Sequence, residues 1–552
     1  MNNFVSARVL GMPSWVDFWL AMVLAVVNGI IIVFMATKML QILQLSGYKF
    51  KGVNDWQKQT KFNYWGRLIM VSVLSCAAIL ITNVLLDELL IHRSLKFTSV
   101  IFYFVFACVY IINTFSVPQK SPIKYTQRMS RLVIVVGVLS FLISVGFMYL
   151  SVNLIPYFTA GGIAIIPIFT PLIVYIAHLC TNVVEKAIAK RYIKKAKAKL
   201  ASHTDLKIVG VTGSFGKTSV KNIIAGLLAE KYKVCVTPFS YNTPLGLSKT
   251  VLENLDENDQ VFVAEMGARN VGDIAELCNM VQPTIGVITG IGNQHMATFG
   301  SSQNLINTKA ELVTHITNRN GTMVFNTDTQ LAEQMYNVAT CTKVQVGLNV
   351  KSNIYATDIN STKNGSVFTL HIGKEKYKNV TTTLLGEHNI SNILTAVCVA
   401  VELGLSGEQI VAGISKLVPT AHRLALVPST NALVVIDDAY NGSLEGTKSA
   451  LNVLAKFDGT KVVITPGLVE LGAEQFNSNF EFGRNLAKVA DYVIITGVVN
   501  YDAISSGLEF CNFATNKIIR AGTLNQAVSM LSSITNPGDV VLFENDLPDN
   551  YV

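Results

Sequence analysis

The spacing of hydrophobic and polar positions divides the chain in two. Up to about residue 180 the apolar residues come in long, barely charged runs; beyond it they come in short runs separated by helical patterns. Five runs are long enough to cross a bilayer, which takes ~20 residues per helix. They lie near Trp15–Met35, Leu68–Leu86, Thr98–Phe115, Leu132–Leu150 and Phe158–Leu179. Packed core helices of a soluble domain would not be so evenly uncharged. The stretch Glu185–His203 is basic, helical in period, and continues the last run. After it, strand-like runs (Ile208–Val211, Val234–Thr237, Gln260–Glu265, Ile285–Ile288, Thr322–Asn326) alternate with helical segments. A second such series follows Thr420: Leu433–Ile436, Lys461–Ile464, Tyr492–Ile495 and Val540–Phe543. Alternation of this kind predicts mostly parallel sheets with crossover helices. The expected fold is an α-helical membrane domain (1–184, about five transmembrane helices), a basic juxtamembrane helix (185–203), and an α/β half. That half comprises a central domain with a parallel sheet (204–418) and a C-terminal Rossmann-like domain (419–552).

Composition sharpens the first part of this picture. Half of the 552 residues are hydrophobic, and the mean hydropathy of +0.41 is high for a soluble enzyme. Lysines and arginines follow the odd-numbered spans: Lys38, Lys49, Lys51, Lys58, Lys61 and Arg67, then Lys120, Lys124, Arg128 and Arg131, then Lys186 to Lys199. By the positive-inside rule the N-terminus lies outside the plasma membrane and the α/β half is cytoplasmic. The net charge of +8 is thereby accounted for beside anionic lipid, and no nucleic-acid partner is expected. Tyr48–Trp65 mixes aromatics with lysines as an interfacial anchor does, and His178 reads as an interfacial residue. The eight cysteines are scattered, without a CxxC pair, which argues against zinc or iron–sulfur ligation. The first apolar run lacks the features of a cleavable signal peptide.

The chemistry begins at the strand-to-helix turn Thr212-Gly213-Ser214-Phe215-Gly216-Lys217-Thr218-Ser219. A loop of this kind turns backbone N–H groups towards an anion at a helix N-terminus. Lys217 adds a point charge for the outer phosphates, and the Thr218 hydroxyl is placed for Mg²⁺. The strict GxxxxGK[ST] spacing is not met, because Val211 stands where the first glycine would be. Glu265 closes the run Val261–Glu265, and a carboxylate at the end of a parallel strand beside such a loop suits Mg²⁺. His295 by itself is an ordinary loop histidine. Lys309, among Asn307, Thr308 and Glu311, has the spacing of a surface lysine on a helix.

Seven motifs occur in the order of the Mur ligase family and are most like its branch that adds D-alanyl-D-alanine to the muramyl tripeptide. They are Thr212–Ser219, Glu265-Met266-Gly267, Gly292-Asn293-Gln294-His295, Thr308-Lys309-Ala310-Glu311, Gly386 to Asn392, His422-Arg423 and Asp437 to Asn441. The resemblance covers about residues 205–552. It implies an ATP-dependent carboxylate–amine ligase working through an acyl phosphate on a small-molecule cell-wall precursor and an amino acid or dipeptide. Two Mg²⁺ sites are implied, the first held by Thr218 and Glu265, the second served by His295, with Lys309 carrying a carbamate. Asn389 and Asn392 match residues near adenine. Arg423 and Asp438 match groups that close on phosphate and ribose. Tyr440 and Asn441 match nucleotide or substrate contacts, and Asn242 and Thr243 a substrate-side loop, although Asn and Thr also cap loops without binding anything. The resemblance also makes Leu417-Val418-Pro419 a hinge.

Two departures stand out. The family's soluble uridine-diphosphate-binding domain is replaced by the membrane half. Pro466-Gly467 stands where Gly-Asp is usual, and the tail Phe543–Tyr551 is acidic where that branch tends to be basic. Two further readings follow: the same chemistry on a lipid-linked or polymeric acceptor, or a membrane scaffold that binds ATP without turnover.

Overall fold

The computed structural model describes residues 14–88, 100–116, 122–154, 161–292, 299, 301–429, 432–440, 442–469 and 471–545. The chain divides at Ile188/Ala189 into two compact units.

The first unit is helical: α1 (Ser14–Leu45), α2 (Phe50–Gln59), α3 (Asn63–Glu88), α4 (Ile101–Phe115), α5 (Gln127–Leu154), a 3₁₀ segment (Gly161–Phe169) and the start of α6 (Thr170–Ser202). Its long helices are apolar all round rather than on one stripe. Val26, Ile30 and Phe34 of α1, Val105, Val109 and Ile112 of α4, and Ile134, Val138 and Leu142 of α5 all point outwards, as helices solvated by lipid do. Among the described residues, four helices are long and apolar enough to cross a membrane; α4, which falls on the third expected span, has 15 residues there.

Small residues let α1 and α5 approach closely: a Cβ on Gly29 would lie 3.3 Å from the Gly137 carbonyl oxygen. Three hydrogen bonds pair buried polar groups here. Asn28 Nδ2 donates to Ser144 Oγ at 2.8 Å, the Tyr103 hydroxyl donates to Asn28 Oδ1, and Tyr64 Oη donates to the Met35 carbonyl at 2.9 Å. Helix α2 is amphipathic: Val53 is buried while Lys51 and Lys58 are exposed. Phe50 at its start packs on Tyr175 and His178, at ring separations of 4.8 and 5.2 Å.

The second unit is α/β. Its first sheet contains β1 (Lys207–Thr212), β2 (Val234–Val236), β3 (Val261–Glu265), β4 (Ile285–Ile288), β5 (Thr322–Asn326) and β6 (Thr342–Val346). Between them run α7 (Lys217–Leu228), α8 (Pro244–Glu253), α9 (Asp273–Val281), α10 (Ser302–Asn318) and α11 (Gln330–Val338). The strand order is β2-β3-β1-β4-β5-β6 and every pair is parallel. Val211 is level with Glu265, and Thr212 with Ile288, so the carboxyl ends of the three central strands lie together.

A three-stranded antiparallel sheet follows, β7 (Ile354–Thr362), β8 (Gly365–Ile372) and β9 (Glu375–Thr382), then α12 (Glu387–Glu402) and α13 (Gly407–Ser415). The last sheet is built from β10 (Ala425–Val427), β11 (Val434–Asp438), α14 (Leu444–Leu454), β12 (Lys461–Thr465), α15 (Gln475–Leu486), β13 (Tyr492–Thr496), α16 (Tyr501–Phe510), β14 (Ile518–Ala521), α17 (Leu524–Ile534) and β15 (Val540–Glu544). Its order is β10-β11-β15-β12-β13-β14, parallel except for the β10 edge.

Candidate active site

The turn between β1 and α7 is held from one side by the loop after β4. Ser214 N donates to the Gly290 carbonyl at 2.8 Å, and Ser214 Oγ donates to that of Gly292 at 3.0 Å. Gly290 has to be glycine, since a Cβ there would meet the Phe215 ring at 1.9 Å. Gly216 caps α7 in the left-handed region (φ 79°). Lys217 bends back over the turn, with Nζ donating to the carbonyls of Gly213 and Ser214, each at 2.9 Å. Burial lowers its pKa to about 8, which Glu265 partly opposes.

Glu265 is 1 % exposed and receives three side chains. Thr218 Oγ1 donates to Oε2 at 2.9 Å, Lys221 Nζ stands 3.3 Å from the same oxygen, and Asn242 Nδ2 donates to Oε1 at 3.1 Å. A hydroxyl and a carboxylate oxygen side by side at the end of the phosphate turn are a hard-oxygen pair that fits Mg²⁺. Asn242 therefore faces the same carboxylate as Thr218. Thr243 caps α8, with Oγ1 accepting from Gly246 N at 3.3 Å.

Lys309 corrects the reading taken from its spacing. It is 3 % exposed, on the inward face of α10 with Leu305, Thr308 and Leu312. Its neighbour Glu311 binds the N-terminus of α9, accepting from Gly272 N at 2.6 Å and Ala275 N at 2.8 Å, and so clamps α10 onto α9. Among the described residues the Lys309 ammonium has no hydrogen-bond or ion-pair partner. Burial, and then the charge of Lys217, lower its pKa to about 7. His295 and Asn441 lie outside the described residues.

A cavity of about 750 Å³ opens between the first and last sheets. Its wall includes Gly216, Asn389, Asn392, Arg423, Asp438 and Tyr440. Asn392 Nδ2 donates to Asn389 Oδ1 at 3.1 Å, and Asn389 Nδ2 donates to the Leu385 carbonyl at 2.8 Å. Arg423 lies 4.3 Å over the Tyr440 ring and donates to the Tyr440 carbonyl at 3.2 Å. It is flanked by His422 (φ 59°) and Leu424 (φ 49°), both in a conformation that side-chain-bearing residues rarely adopt. Asp438 Oδ1 accepts from Leu424 N at 3.0 Å. Burial raises its pKa to about 6 against the pull of Arg423. Tyr440 Oη donates to Ser240 Oγ at 2.7 Å, so the last sheet touches the loop that carries Asn242.

Five lining or supporting residues were not foreseen. Asn326 donates to Ser391 Oγ at 2.6 Å, Ser391 donates to Asp328, and burial holds His388 neutral with a pKa near 4. The fifth is Lys221. It shares a face with Lys217 four residues earlier, which a helical reading of Lys217–Leu228 could have shown.

Two family models match the chain: the Mur ligase middle domain over residues 211–400, and the Mur ligase glutamate ligase domain over residues 422–544. The chain belongs to the Mur ligase family. It is therefore an ATP-dependent ligase that forms C–N bonds. The UDP-N-acetylmuramoyl-tripeptide–D-alanyl-D-alanine ligase of Mycobacterium tuberculosis (strain CDC 1551 / Oshkosh) is 30 % identical over 358 residues, 61 % of this chain and 70 % of that protein. The ligase of the same name from Bacillus subtilis (strain 168) is 27 % identical over 345 residues, 61 % of this chain and 72 % of that protein. The fold of this Mur ligase is that of MurF from Acinetobacter baumannii, with a TM-score of 0.59 at 24 % identity over 66 % of this chain and 78 % of that one. MurF from Thermotoga maritima, solved in complex with ADP, gives a TM-score of 0.57 at 24 % identity over 65 % of this chain and 80 % of that one. Both family models lie in the α/β unit of this Mur ligase, and the helical unit precedes them.

Proposed function

We propose that this Mur ligase is anchored in the plasma membrane by its helical unit, with its α/β unit in the cytoplasm, and joins D-alanyl-D-alanine to a UDP-muramoyl tripeptide. The observation that carries the chemistry is the convergence of Lys217, Thr218 and Glu265 on one phosphate turn, with the charge of Lys217 also acting on the buried Lys309. The names of the curated relatives supply the substrates. In this reading the γ-phosphoryl group passes from ATP to the substrate carboxylate. The amine then attacks the acyl carbon, the new C–N bond replaces the C–O bond to phosphate, and the amine's protons leave to solvent. Lys217 releases its two loop carbonyls to neutralise the transferring phosphate, and Arg423 adds charge from the last domain. Thr218 and Glu265 would hold one Mg²⁺ and His295 would serve a second, and such ions would supply charge neutralisation for phosphoryl transfer. Asn389 and Asn392 lie on the adenine side. Asp438 takes a ribose hydroxyl, and Asn242, Tyr440 and Asn441 face the substrates.

Lys309 suits a carbamate. Carbon dioxide adds only to a neutral amine, and a pKa near 7 leaves much of Lys309 neutral at cytoplasmic pH. The product is a carboxylate-like oxygen donor beside the metal. The outward apolar faces of α1, α3, α4 and α5 support the anchor.

The test is phosphate release by the detergent-purified, full-length protein with ATP and Mg²⁺. Release that requires both UDP-muramoyl tripeptide and D-alanyl-D-alanine is the expected result. Release only with the lipid-linked form of the precursor would transfer the reading to a membrane-borne acceptor. Silence with both would remove the proposed substrates.

A further inference from the structure

Lys221 is among the largest side chains the fold buries almost completely, at 1 % exposure. A buried ammonium is tolerated only when its donors are satisfied, and all three of its acceptors are visible. Nζ donates to the carbonyl of Thr237 at 2.7 Å and to that of Phe239 at 2.6 Å, and stands 3.3 Å from Glu265 Oε2. None of the three belongs to the scaffold behind the site. Two lie on the loop between β2 and α8 that leads to Asn242, and the third is the carboxylate that Thr218 also holds.

The same loop grips Glu265 at two further points. Thr237 Oγ1 accepts from Glu265 N at 3.2 Å, and Asn242 Nδ2 donates to Glu265 Oε1 at 3.1 Å. The Phe239 carbonyl faces Lys221 only because Phe239 adopts a left-handed backbone (φ 47°), a conformation costly for an aromatic residue. Its side chain meanwhile stays 82 % exposed and contributes little packing in return. A neutral side chain of the same length at position 221 would leave two buried carbonyls and a carboxylate oxygen unpaired.

We propose that Lys221 is a positioning residue that sets Glu265 and the 237–243 loop as one piece. The oxygen offered to Mg²⁺ and the Asn242 side chain offered to the carboxylate substrate are thereby fixed together. The inference rests on the reading of Glu265 as a Mg²⁺ ligand given above. Among the described residues neither Lys217 nor Arg423 makes a hydrogen bond to the loop; Lys217 donates to Gly213 and Ser214, and Arg423 to Tyr440. Occupation of Glu265 by a divalent cation is then felt at residues 237–243 through the shared ammonium, so metal and acceptor binding are coupled.

The experiment compares full-length wild type, Lys221→Met and Glu265→Gln in detergent. Lys221→Met raises both the Mg²⁺ concentration for half-maximal phosphate release and the KM for UDP-muramoyl tripeptide by about tenfold, a typical size for coupling between sites. Calorimetric affinity for ADP without Mg²⁺ stays within about twofold, because the phosphate turn is untouched. A fall in kcat with both constants unmoved would make Lys221 a scaffold residue and overturn the proposal, as would wild-type kinetics. If Glu265→Gln shifts the Mg²⁺ dependence while Lys221→Met does not, only the role of Lys221 falls. A normal Mg²⁺ dependence in Glu265→Gln removes the premise instead. Should Lys221→Met not fold, hydrogen exchange on the wild type decides. Adding Mg²⁺ to the ADP-loaded protein alters exchange at 237–243, and an unchanged loop would overturn the coupling.

Discussion

Lys309 has polar neighbours in the chain, Asn307, Thr308 and Glu311, and these give it the look of a surface lysine. It is buried because it lies on the stripe of Leu305, Leu312 and Ile316, four residues before it and three and seven after it, which only a reading of the whole helix shows. The phosphate turn, by contrast, was legible as a string of residue types, since its chemistry lies in backbone conformation. Replacing Lys309 with alanine lowers turnover by roughly 10²–10³-fold, and a short-chain carboxylate restores part of it; steady-state phosphate release measures both.

Glu544, the last residue of β15, is level with Asp438 and fully buried, and among the described residues neither carboxyl oxygen has a hydrogen-bond partner. Burial and the nearby Asp438 raise its pKa. A raised folded-state pKa favours the protonated form, so the stability it supports is complete below the unfolded value near 4.3 and is lost as pH rises through the folded one. Glu544→Gln therefore raises the Tm at pH 8 by roughly 2–4 °C and leaves it unchanged at pH 4. Calorimetry at the two pH values checks the sign.

At the scale of elements, the buried parallel strands could be read from the chain because they are short unbroken apolar runs, with ends misplaced by a residue or two. Strands β7 and β9 could not. Asn360, Ser361, Lys376 and Lys378 give them the composition of surface loops, and they are strands because β8 pairs with both. The long apolar helices of the first unit were legible for the opposite reason: their whole circumference is apolar, and periodicity is not needed. What hydropathy cannot show is where two helices touch. Gly29→Leu forces α1 away from Gly137 of α5 and costs the helical unit about 1–3 kcal/mol, the usual penalty for overpacking. Lower thermal stability in detergent, with ADP affinity of the α/β unit unchanged, is the expected pair of results. Gly290→Ala drives a methyl group into Phe215 and distorts the phosphate turn, so ADP affinity falls by about tenfold or more, measured by calorimetry.

For the whole molecule, the charge of the loops and the apolar surface of the first unit make a joint prediction about sidedness. Cys511, exposed in the last domain, reacts with an impermeant maleimide in inverted membrane vesicles and is protected in right-side-out vesicles or intact cells. The reverse pattern would turn the chain over in the membrane. The junction between the two α/β domains holds a more general lesson, in the left-handed residues on either side of Arg423. Backbone held in such conformations costs of order 1–3 kcal/mol per residue, and here that free energy fixes a guanidinium before any ligand arrives. A nucleotide entering the cleft meets a cation already in place, so less of its binding free energy goes into restricting a mobile loop. Exchanging His422 and Leu424 for glycine would return that freedom, together with the loss of the His422–Asp437 hydrogen bond and of the buried Leu424 side chain, and nucleotide affinity would fall. On the proposed reading of the cleft, part of the grip on a nucleotide is a matter of entropy, written in the backbone on either side of Arg423.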